Sequence, residues 1–505
     1  MRTRSTLRRH GLATLILCGA GVVLGNGAGA AEGDAAPTPP APASAPTPPP
    51  PSRRLNLFAL RALKKPVTNR RLDTFVSAGF LPGDTTGDLW NRDFLTGNWD
   101  GTRDALYSQG IDLYLIHIGD CYGVVDGGLR TGFHYNGLTL AGTDLFTSRL
   151  GWWSGGQFHL TAAQIQGTSI GRDYAGAMNS VYFNDPIRFG ARLFELWYGQ
   201  TFTDNKGDFR IGTMFPFVRI GSNMPASVLT NTSFDYPTFL GTAPSVGLSS
   251  AYAAAPFGVQ VSYNLNPDVY VISQVSDGYQ DPSGGIDNYQ NLRVDLNSRE
   301  GAEGIVELGY KLNQRRDAKG LPGNYKVGWQ FHTGIFDNNH LNATGASLAV
   351  VGGTGREQRG NSAFYMMMDQ MLTQESDKGS GRYCGLSMFL KFTATPNQDV
   401  NLVSSNWAAG LEYEGALPSR NHDILALGVS TTRFSDGIRD YDRDHLAIDP
   451  TGGVRDSEGV LELAYAAEIA PWWVAIVSLQ RIRHPSGFST RPDATVIGLS
   501  NRIAF

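Results

Sequence analysis

The last stretch of the chain, residues 495–505, limits most strongly what this sequence can fold into. It reads T-V-I-G-L-S-N-R-I-A-F, so that mostly large apolar side chains alternate with small or polar ones. Side chains in a strand point alternately to opposite faces, and the pattern therefore predicts a strand between an apolar and an aqueous surface. Both an outer-membrane barrel and the edge of a soluble sandwich fit this strand. The apolar face is predicted to carry Ile497, Leu499, Ile503 and Phe505, and the aqueous face Ser500 and Arg502.

The composition favours a β-rich protein in contact with lipid. Charged residues make up 17% of the 505 residues, whereas soluble proteins usually carry about a quarter. The chain is also rich in glycine and aromatic residues, with 61 Gly, 20 Tyr and 25 Phe. Low charge without overall hydrophobicity is what alternating lipid-facing strands give, although a secreted β-rich protein fits as well.

The N-terminus predicts export. Several arginines precede an apolar core at 11–24, and an A-G-A sequence at 28–30 offers a cleavage site. We interpret residues 1–30 as a cleaved signal peptide, because the apolar core is too short to span a membrane. The net charge of the whole chain is −4, and removal of this basic leader makes the remaining protein more acidic. This charge argues against nucleic acid as a partner.

Three further segments follow the leader. Residues 31–52 are rich in proline, which favours extended polyproline II, and we interpret them as a disordered linker. The linker could thread the periplasm, contact peptidoglycan or act as a simple tether. Residues 53–98 are predicted to form a periplasmic N-terminal extension. Residues 99–505 are predicted to form the main domain, which begins with a short helix within 99–110.

Alternating segments recur from residue 111 onward, for example at 194–202, 257–265 and 325–335. Each is about ten residues long and can cross a bilayer at a tilt, and 194–202 places Phe194 on its apolar face. Only 363–372 could pass for a helix. Because lipid cannot satisfy an open sheet edge, we predict an all-β fold, a transmembrane antiparallel β-barrel of about 16 strands around an aqueous channel. Aromatic pairs near strand ends fit an interfacial girdle: Trp152-Trp153, Tyr182-Phe183 and Trp472-Trp473.

The smaller, more polar face of each strand is predicted to line the channel. Sugars are neutral and rich in hydroxyls, so a channel that selects them needs charged and amide groups for hydrogen bonds and an aromatic ring for stacking. Passage also requires weak binding at successive sites. Each side chain could equally be ordinary channel lining. The predicted inward residues are Glu195, Trp197, Asp208, Arg210, Gln260, Asn264, Glu307, Lys326, Gln330, His332 and Arg502.

Catalytic and metal-binding signatures are absent from the sequence, so we predict no enzyme activity and no cofactor. Asp440, Asp442 and Asp444 resemble the start of a calcium loop, but the glycine and glutamate that such a loop needs are missing. Glu412 and Glu414 share a strand face, as the paired carboxylates of a glycosidase could, but nothing in the sequence supplies a cleft around them. Cys121 and Cys384 are either one disulfide or two unrelated thiols.

Several separated blocks resemble the carbohydrate-selective porins (OprB type) of Gram-negative outer membranes. W-D-G-T-R-D-A-L at 99–106 leads into the first strand, and R-L-F-E-L-W-Y-G-Q at 192–200 precedes F-R-I-G at 209–212. Further matches are A-F-Y-M-M-M-D-Q at 363–370, the segment 410–420, E-G-V-L-E-L-A-Y-A-A-E-I-A-P-W-W at 458–473, 479–487 and 493–499. The first block departs from the family pattern at Thr102 and Ala105, and the proline-rich tract is not part of it.

The resemblance implies selective passive diffusion of mono- or small oligosaccharides through an arginine-rich constriction in the Gram-negative outer membrane. Arg103, Glu195 and Arg210 are the best candidates for that constriction, because they lie inside matching blocks. Implied partners are carbohydrates, outer-membrane lipid and lipopolysaccharide, and the barrel-assembly machinery through the strand that ends at Phe505. The protein would be a homotrimer or a monomer. The alternatives are a β-rich polysaccharide hydrolase and a structural or export barrel for envelope polysaccharide.

The assignment of faces in 495–505 predicts unequal effects of two substitutions. Ile497→Arg places a charge on the lipid face, which costs about 2–4 kcal/mol near the bilayer midplane, whereas Ser500→Arg places it on the aqueous face. Ile497→Arg should therefore reduce the yield of folded, heat-modifiable protein in outer-membrane fractions much more than Ser500→Arg. Equal yields would show that the register is displaced by one residue.

Overall fold

The computed structural model describes residues 85, 87–182, 190–203, 206–221, 228–234, 255–278, 292, 301–314, 318–375 and 384–505. The predicted leader at 1–30 and the linker at 31–52 lie outside the described residues, as do most of the predicted extension at 53–98 and Phe183 of the aromatic pairs. These assignments remain predictions.

The described residues form sixteen strands in one closed barrel, and every neighbouring pair is antiparallel. This confirms the predicted fold class and strand number. The strands are β1 Ile111–Asp126, β2 Gly132–Phe146, β3 Gly156–Gln166, β4 Gly190–Phe202, β5 Gly207–Thr213, β6 Phe257–Asn264, β7 Val269–Asp277, β8 Ala302–Leu312, β9 Gly323–Asn342, β10 Gly355–Met371, β11 Gly385–Ala394, β12 Val403–Glu414, β13 Ile424–Phe434, β14 Ser457–Ala470, β15 Trp473–Arg483 and β16 Ala494–Ala504.

Short helical segments lie before the first strand and in the connections between strands. Helix α1 (Thr102–Ser108) lies within the predicted 99–110, and α2 (Leu348–Val351) lies between β9 and β10. A π-helical turn forms at Gly171–Ala175, and α3 is Asp436–Leu446. Short 3-10 turns are Pro216–Val218, Thr232–Phe234 and Pro485–Gly487. Among the residues that the structure describes, none of the helices has the length and apolar character to cross a membrane.

The barrel closes between its first and last strands. Ile116 of β1 pairs with Ala504 of β16, and Asp120 pairs with Ser500 further along the same seam. In β16 every second residue, from Ala494 to Ala504, is buried, and the residues between them are partly exposed. Ser500 and Arg502 therefore face the interior, while Ile497, Leu499 and Ile503 face outward as predicted.

The alternation predicted for 194–202 fails at its start. Phe194 was expected on the lipid face, but it is buried in a cluster with Leu138, Ile165 and Phe215. The pairing of β3 and β4 shifts register between Thr161 and Ala162, so that β4 carries one extra residue there. A β-bulge of this kind places two successive side chains on one face, which a strict period of two cannot anticipate.

Two segments differ from the predicted secondary structure. Residues 363–372, the one stretch expected to pass for a helix, belong to β10 apart from Leu372, which follows it. Helix α3 was missed, and it contains the three aspartates that resemble a calcium loop. It follows Ser435 and carries Asp436 in its first turn and Arg443 and His445 in its last, a charge order that suits the helix dipole. One of these aspartates, Asp442, accepts hydrogen bonds from Nε and Nη2 of the Arg455 guanidinium.

The two ends of the barrel differ in their connections. At the end that holds α1 and the C-terminus, most neighbouring strands follow each other after a few residues. At the opposite end the chain leaves β3, β5 and β13 and returns to the barrel only at Gly190, Phe257 and Ser457. Outer-membrane barrels have short periplasmic turns and longer extracellular loops, which assigns the end with α1 and Phe505 to the periplasm. Cys121 and Cys384 are both buried and are not joined in a disulfide, which agrees with the alternative of two unrelated thiols.

Arg103 of α1 fastens the segment before the barrel to the C-terminus. Its guanidinium donates to the carbonyl oxygen of Gly97 at 3.0 Å and to a terminal carboxylate oxygen of Phe505 at 2.5 Å. The same group lies 3.8 Å from the ring centroid of Phe94 and 4.4 Å from that of Trp99. Arg103 was predicted to contact sugar in the channel. Its contacts are instead with backbone oxygens and aromatic rings, and they favour a structural role at the seam.

We expect Arg103→Ala to destabilise the folded barrel by about 1–3 kcal/mol, because buried backbone oxygens lose their donor. The measurement is the urea midpoint of unfolding in detergent. Arg356→Ala, which removes an exposed arginine from β10, is the control and should leave the midpoint within error. Similar shifts for both variants would contradict the role of Arg103 at the seam.

Candidate channel constriction

Two connections from the extracellular end fold back against the inner face of the barrel. We call residues 167–182 the first inner loop and the described residues 214–221 and 228–234 the second inner loop. Ile170 and Val181 of the first loop, and Leu229 and Phe234 of the second, are buried in one apolar cluster with inward residues of the barrel wall, such as Ile476. The loops therefore narrow the interior rather than extend above it.

Glu462 of β14 holds the second inner loop. Its carboxylate accepts hydrogen bonds from the backbone N–H of Thr230 at 2.8 Å and of Asn231 at 3.0 Å. The hydroxyls of Thr230 and Ser478 donate to the same carboxylate at 2.8 and 2.7 Å. Glu462 is fully buried, so these bonds stabilise a charge that would otherwise be costly inside the protein.

Glu458 holds the first inner loop in the same way. It also belongs to β14 and lies closer than Glu462 to the extracellular end of that strand. It accepts from the backbone N–H of Met178 at 2.7 Å and of Asn179 at 2.9 Å. The backbone N–H of Ser486 donates to it at 2.6 Å. Neither glutamate was predicted as a functional residue, although the two lie four residues apart on the inward face of the matching block 458–473.

Glu307 of β8, a predicted channel residue, is a third anchor. Its carboxylate accepts from the backbone N–H of Gly221 at 2.7 Å and from the hydroxyls of Tyr270 and Tyr365, each at 2.8 Å. Glu307 is fully buried. The prediction placed it correctly on the inward face, but its oxygens bind the second inner loop and the barrel wall.

Glu195 of β4 is the fourth anchor and belongs to a buried polar cluster. It accepts from the backbone N–H of Phe215, at the start of the second inner loop, at 2.9 Å. His159 of β3 lies between two carboxylates, with Nδ1 at 2.7 Å from Asp144 and Nε2 at 3.4 Å from Glu195. Thr161 also contacts His159 Nε2, at 2.7 Å. An imidazole between two carboxylates helps to balance their charge in the wall.

Trp197 and Arg210, also predicted, are packed next to this cluster. The Arg210 guanidinium lies 4.1 Å from the ring centroid of Trp197, and the ring of His159 stacks on Trp197 at 4.7 Å. His159 comes from the strand on one side of β4 and Arg210 from the strand on the other. The Trp197 ring is thus covered by protein, which leaves little of its surface for a sugar.

The second inner loop is also tied to basic side chains. Lys391 of β11 donates to the carbonyl oxygen of Ser233 at 2.8 Å. Within the loop, Arg219 pairs with Asp208 of β5 at 2.7 Å and donates to Gln260 of β6 at 2.9 Å. Opposite walls of the barrel therefore hold the same loop.

The remaining predicted residues are distributed along the wall. Lys326, Gln330 and Arg502 are buried on inward faces, and Gln260 bonds to Gln274 at 2.9 Å. His332 contacts the carbonyl oxygen of Gly278 at 2.9 Å. Asn264 lies at the periplasmic end, where it donates to the carbonyl oxygen of Lys206. The structure brings Glu195, Trp197 and Arg210 together and places Arg103 at the seam.

Exposed basic residues lie on and beside the first inner loop. The Arg172 side chain is 64% exposed and pairs with Asp173 at 2.7 Å, and this hydrogen bond lowers the pKa of the Asp173 carboxyl. Arg130, which follows β1, lies 4.1 Å from the ring centroid of Tyr174. Strand alternation could not predict a role for these residues, because they lie outside the strands. Within the described ranges, no group of three or more His, Cys, Asp or Glu side chains could hold a metal ion.

Comparisons with known proteins agree with this architecture. Residues 130–505 match the model of the family described as "Carbohydrate-selective porin, OprB family". Porin B of Pseudomonas aeruginosa is 24% identical over 439 residues, which cover 82% of this chain and 92% of that protein. A putative porin, QuiX, of Acinetobacter baylyi is 25% identical and covers 85% of this chain and 98% of its own. The high-pH structure of Pseudomonas putida OprB superposes with a TM-score of 0.74 at 22% identity, covering 83% of this chain and all of that one.

We expect Glu462→Gln to loosen the second inner loop. An amide offers one acceptor and one donor where the carboxylate offers two acceptors, so a buried N–H loses its partner at a cost of about 1–3 kcal/mol. Single-channel recordings should then show larger or more variable conductance than the wild type. Glu357→Gln, at an exposed position of β10, is the control and should conduct as the wild type does. Unchanged conductance in Glu462→Gln would contradict the anchoring role.

Proposed function

The chain belongs to the carbohydrate-selective porin family OprB, and on this basis we propose that its two inner loops form the constriction that selects the sugar. The protein is an outer-membrane porin for carbohydrates and not an enzyme. The observation that carries the proposal is the set of buried carboxylates on the barrel wall that bind the backbone of both loops. Loops held in this way can define a fixed aperture.

We infer a division of labour among the polar residues. Glu195, Glu307, Glu458 and Glu462 hold the loops, and their oxygens are occupied by backbone N–H groups. Side chains that remain exposed at the loops are then the ones able to touch a passing sugar. Arg172 is the main candidate of this kind. Its guanidinium can donate paired hydrogen bonds to vicinal hydroxyls.

Arg130 and Tyr174 extend this candidate sugar contact. Arg130 is exposed and its guanidinium lies over the Tyr174 ring, and the side-chain Nε–H of Arg130 donates to the carbonyl oxygen of Asp173. A fixed arginine beside an aromatic ring offers both hydrogen bonds and an apolar surface to a pyranose. Several weak contacts of this sort favour conduction, since tight binding would stop passage. Arg210, Lys326, Gln330, His332 and Arg502 are assigned to the polar wall around the aperture.

Export and assembly complete the proposal. The leader would be cleaved after Ala30, and the barrel-assembly machinery would recognise the strand ending at Phe505 before it pairs with β1. In the folded barrel the N–H of Phe505 donates to the carbonyl oxygen of Leu115, and its terminal carboxylate accepts from Arg103, so both groups are bound within the protein. Native mass spectrometry of the purified protein distinguishes a homotrimer from a monomer.

Planar-bilayer conductance with graded sugars tests the function. We expect ion conductance that falls as a mono- or small oligosaccharide is added, because the sugar occupies the aperture. A polysaccharide hydrolase would release products from glycans without conductance, and an export barrel would conduct without a response to small sugars. Either of these results would overturn the proposal.

We expect Arg130→Ala combined with Arg172→Ala to weaken the sugar block by about tenfold, since each lost pair of charged hydrogen bonds contributes about 1 kcal/mol or more. Conductance without sugar should stay the same or rise slightly. Arg443→Ala combined with Arg356→Ala is the control, because it removes two exposed arginines away from the inner loops. An unchanged sugar block in the first double variant would exclude these arginines from the selective contact.

A further inference from the structure

The outer face of β13, β14 and β15 carries arginines at the extracellular edge of the apolar belt. Arg433 is exposed near the end of β13, and Arg481 and Arg483 are exposed at the end of β15. All three occupy the outward positions of their strands, since the residues next to them are buried. The side chains on these strands toward the periplasm are exposed and apolar: Leu425, Leu427, Val429, Leu461, Leu463, Val477 and Leu479.

Gly459 of β14 leaves a gap between two of these arginines. Arg483 pairs with Gly459, and Arg433 pairs with Ser457, two residues along the same strand. An added Cβ at Gly459 would meet only the Cβ of Arg483 at 3.8 Å and the carbonyl oxygen of Ser430 at 3.9 Å. Two strand spacings and a two-residue offset separate the arginine backbones by roughly 12 Å. Both guanidinium groups can therefore reach a group placed above Gly459.

The charges of this surface are only partly balanced. Arg481 is close to two carboxylates, with Asp493 at 3.4 Å and Asp126 at 3.5 Å, and it donates to the Thr495 hydroxyl at 2.6 Å. In the part of the chain that the structure describes, neither Arg433 nor Arg483 has an ion-pair partner. Unbalanced guanidinium groups at the edge of a lipid-facing surface attract an anion located at headgroup level.

We propose that Arg433 and Arg483, with Gly459 between them, bind a phosphate group of a phosphorylated lipid in the outer leaflet. The phosphate would accept paired hydrogen bonds from the guanidinium groups. The acyl chains would lie on the exposed apolar side chains on the periplasmic side of this site. The first of them are Leu461, which pairs with Arg481, and Leu479, which is two residues from Arg481. A free phosphate ion would use only the arginines, whereas the lipid uses both the arginines and the apolar belt.

This site goes beyond the proposed sugar channel, because it lies on the opposite face of the barrel wall. Its test is native mass spectrometry of the full-length protein in detergent with added lipid A, which carries phosphates. We expect Arg433→Ala combined with Arg483→Ala to retain about tenfold less lipid A than the wild type. Arg356→Ala combined with Arg443→Ala removes the same charge elsewhere and should retain as much as the wild type.

Two further measurements keep the test decisive if the double variant does not assemble. Gly459→Leu fills the gap while both arginines remain, and it should also reduce lipid A retention. The wild-type protein should retain dephosphorylated lipid A poorly, and excess inorganic phosphate should not displace the phosphorylated form. Equal retention of both forms, equal losses in the control variant, or displacement by inorganic phosphate would overturn the proposal. Sugar-dependent conductance should be unchanged in Gly459→Leu, so the two proposals fail independently.

Discussion

The constriction depends on one kind of interaction, in which a buried carboxylate on the barrel wall accepts hydrogen bonds from backbone N–H groups of a loop. An irregular loop inside a barrel carries peptide groups that neither water nor a neighbouring strand satisfies. Glu458 and Glu462 each bind two consecutive N–H groups, and Glu195 and Glu307 each bind one. The loops can therefore stay inside because the wall supplies acceptors at fixed positions.

The same interaction explains why an inward charged residue is a poor guide to substrate contact. Burying a carboxylate is costly, and several donated hydrogen bonds offset much of that cost. Once Glu307 has accepted from Gly221, Tyr270 and Tyr365, it has little capacity left for a hydroxyl of a sugar. Under the proposed function, selection of the sugar then passes to exposed side chains on the loops themselves, such as Arg172.

Period-two alternation predicted the barrel and the faces of β16, because lipid on one side and polar surface on the other impose the pattern, and the length of the strand region predicted the approximate strand number. It failed at Phe194, where a bulge adds a residue, and at α3, whose polar sequence resembles a loop. The inner loops could not be found in this way, since their position depends on partners such as Glu458 and Asn179 that are far apart in sequence.

β14 shows how the two faces of one strand serve different needs. Its inward residues Glu458 and Glu462 hold both inner loops, while its outward residues Gly459 and Leu461 face the membrane. Because successive side chains point to opposite faces, changes on one face leave the chemistry of the other largely intact. The register links them, however, since a shift of one residue would turn the glutamates toward lipid and Leu461 toward the loops. The need to keep these glutamates inside therefore fixes the register of β14. The same register determines which residues of β14 face the membrane.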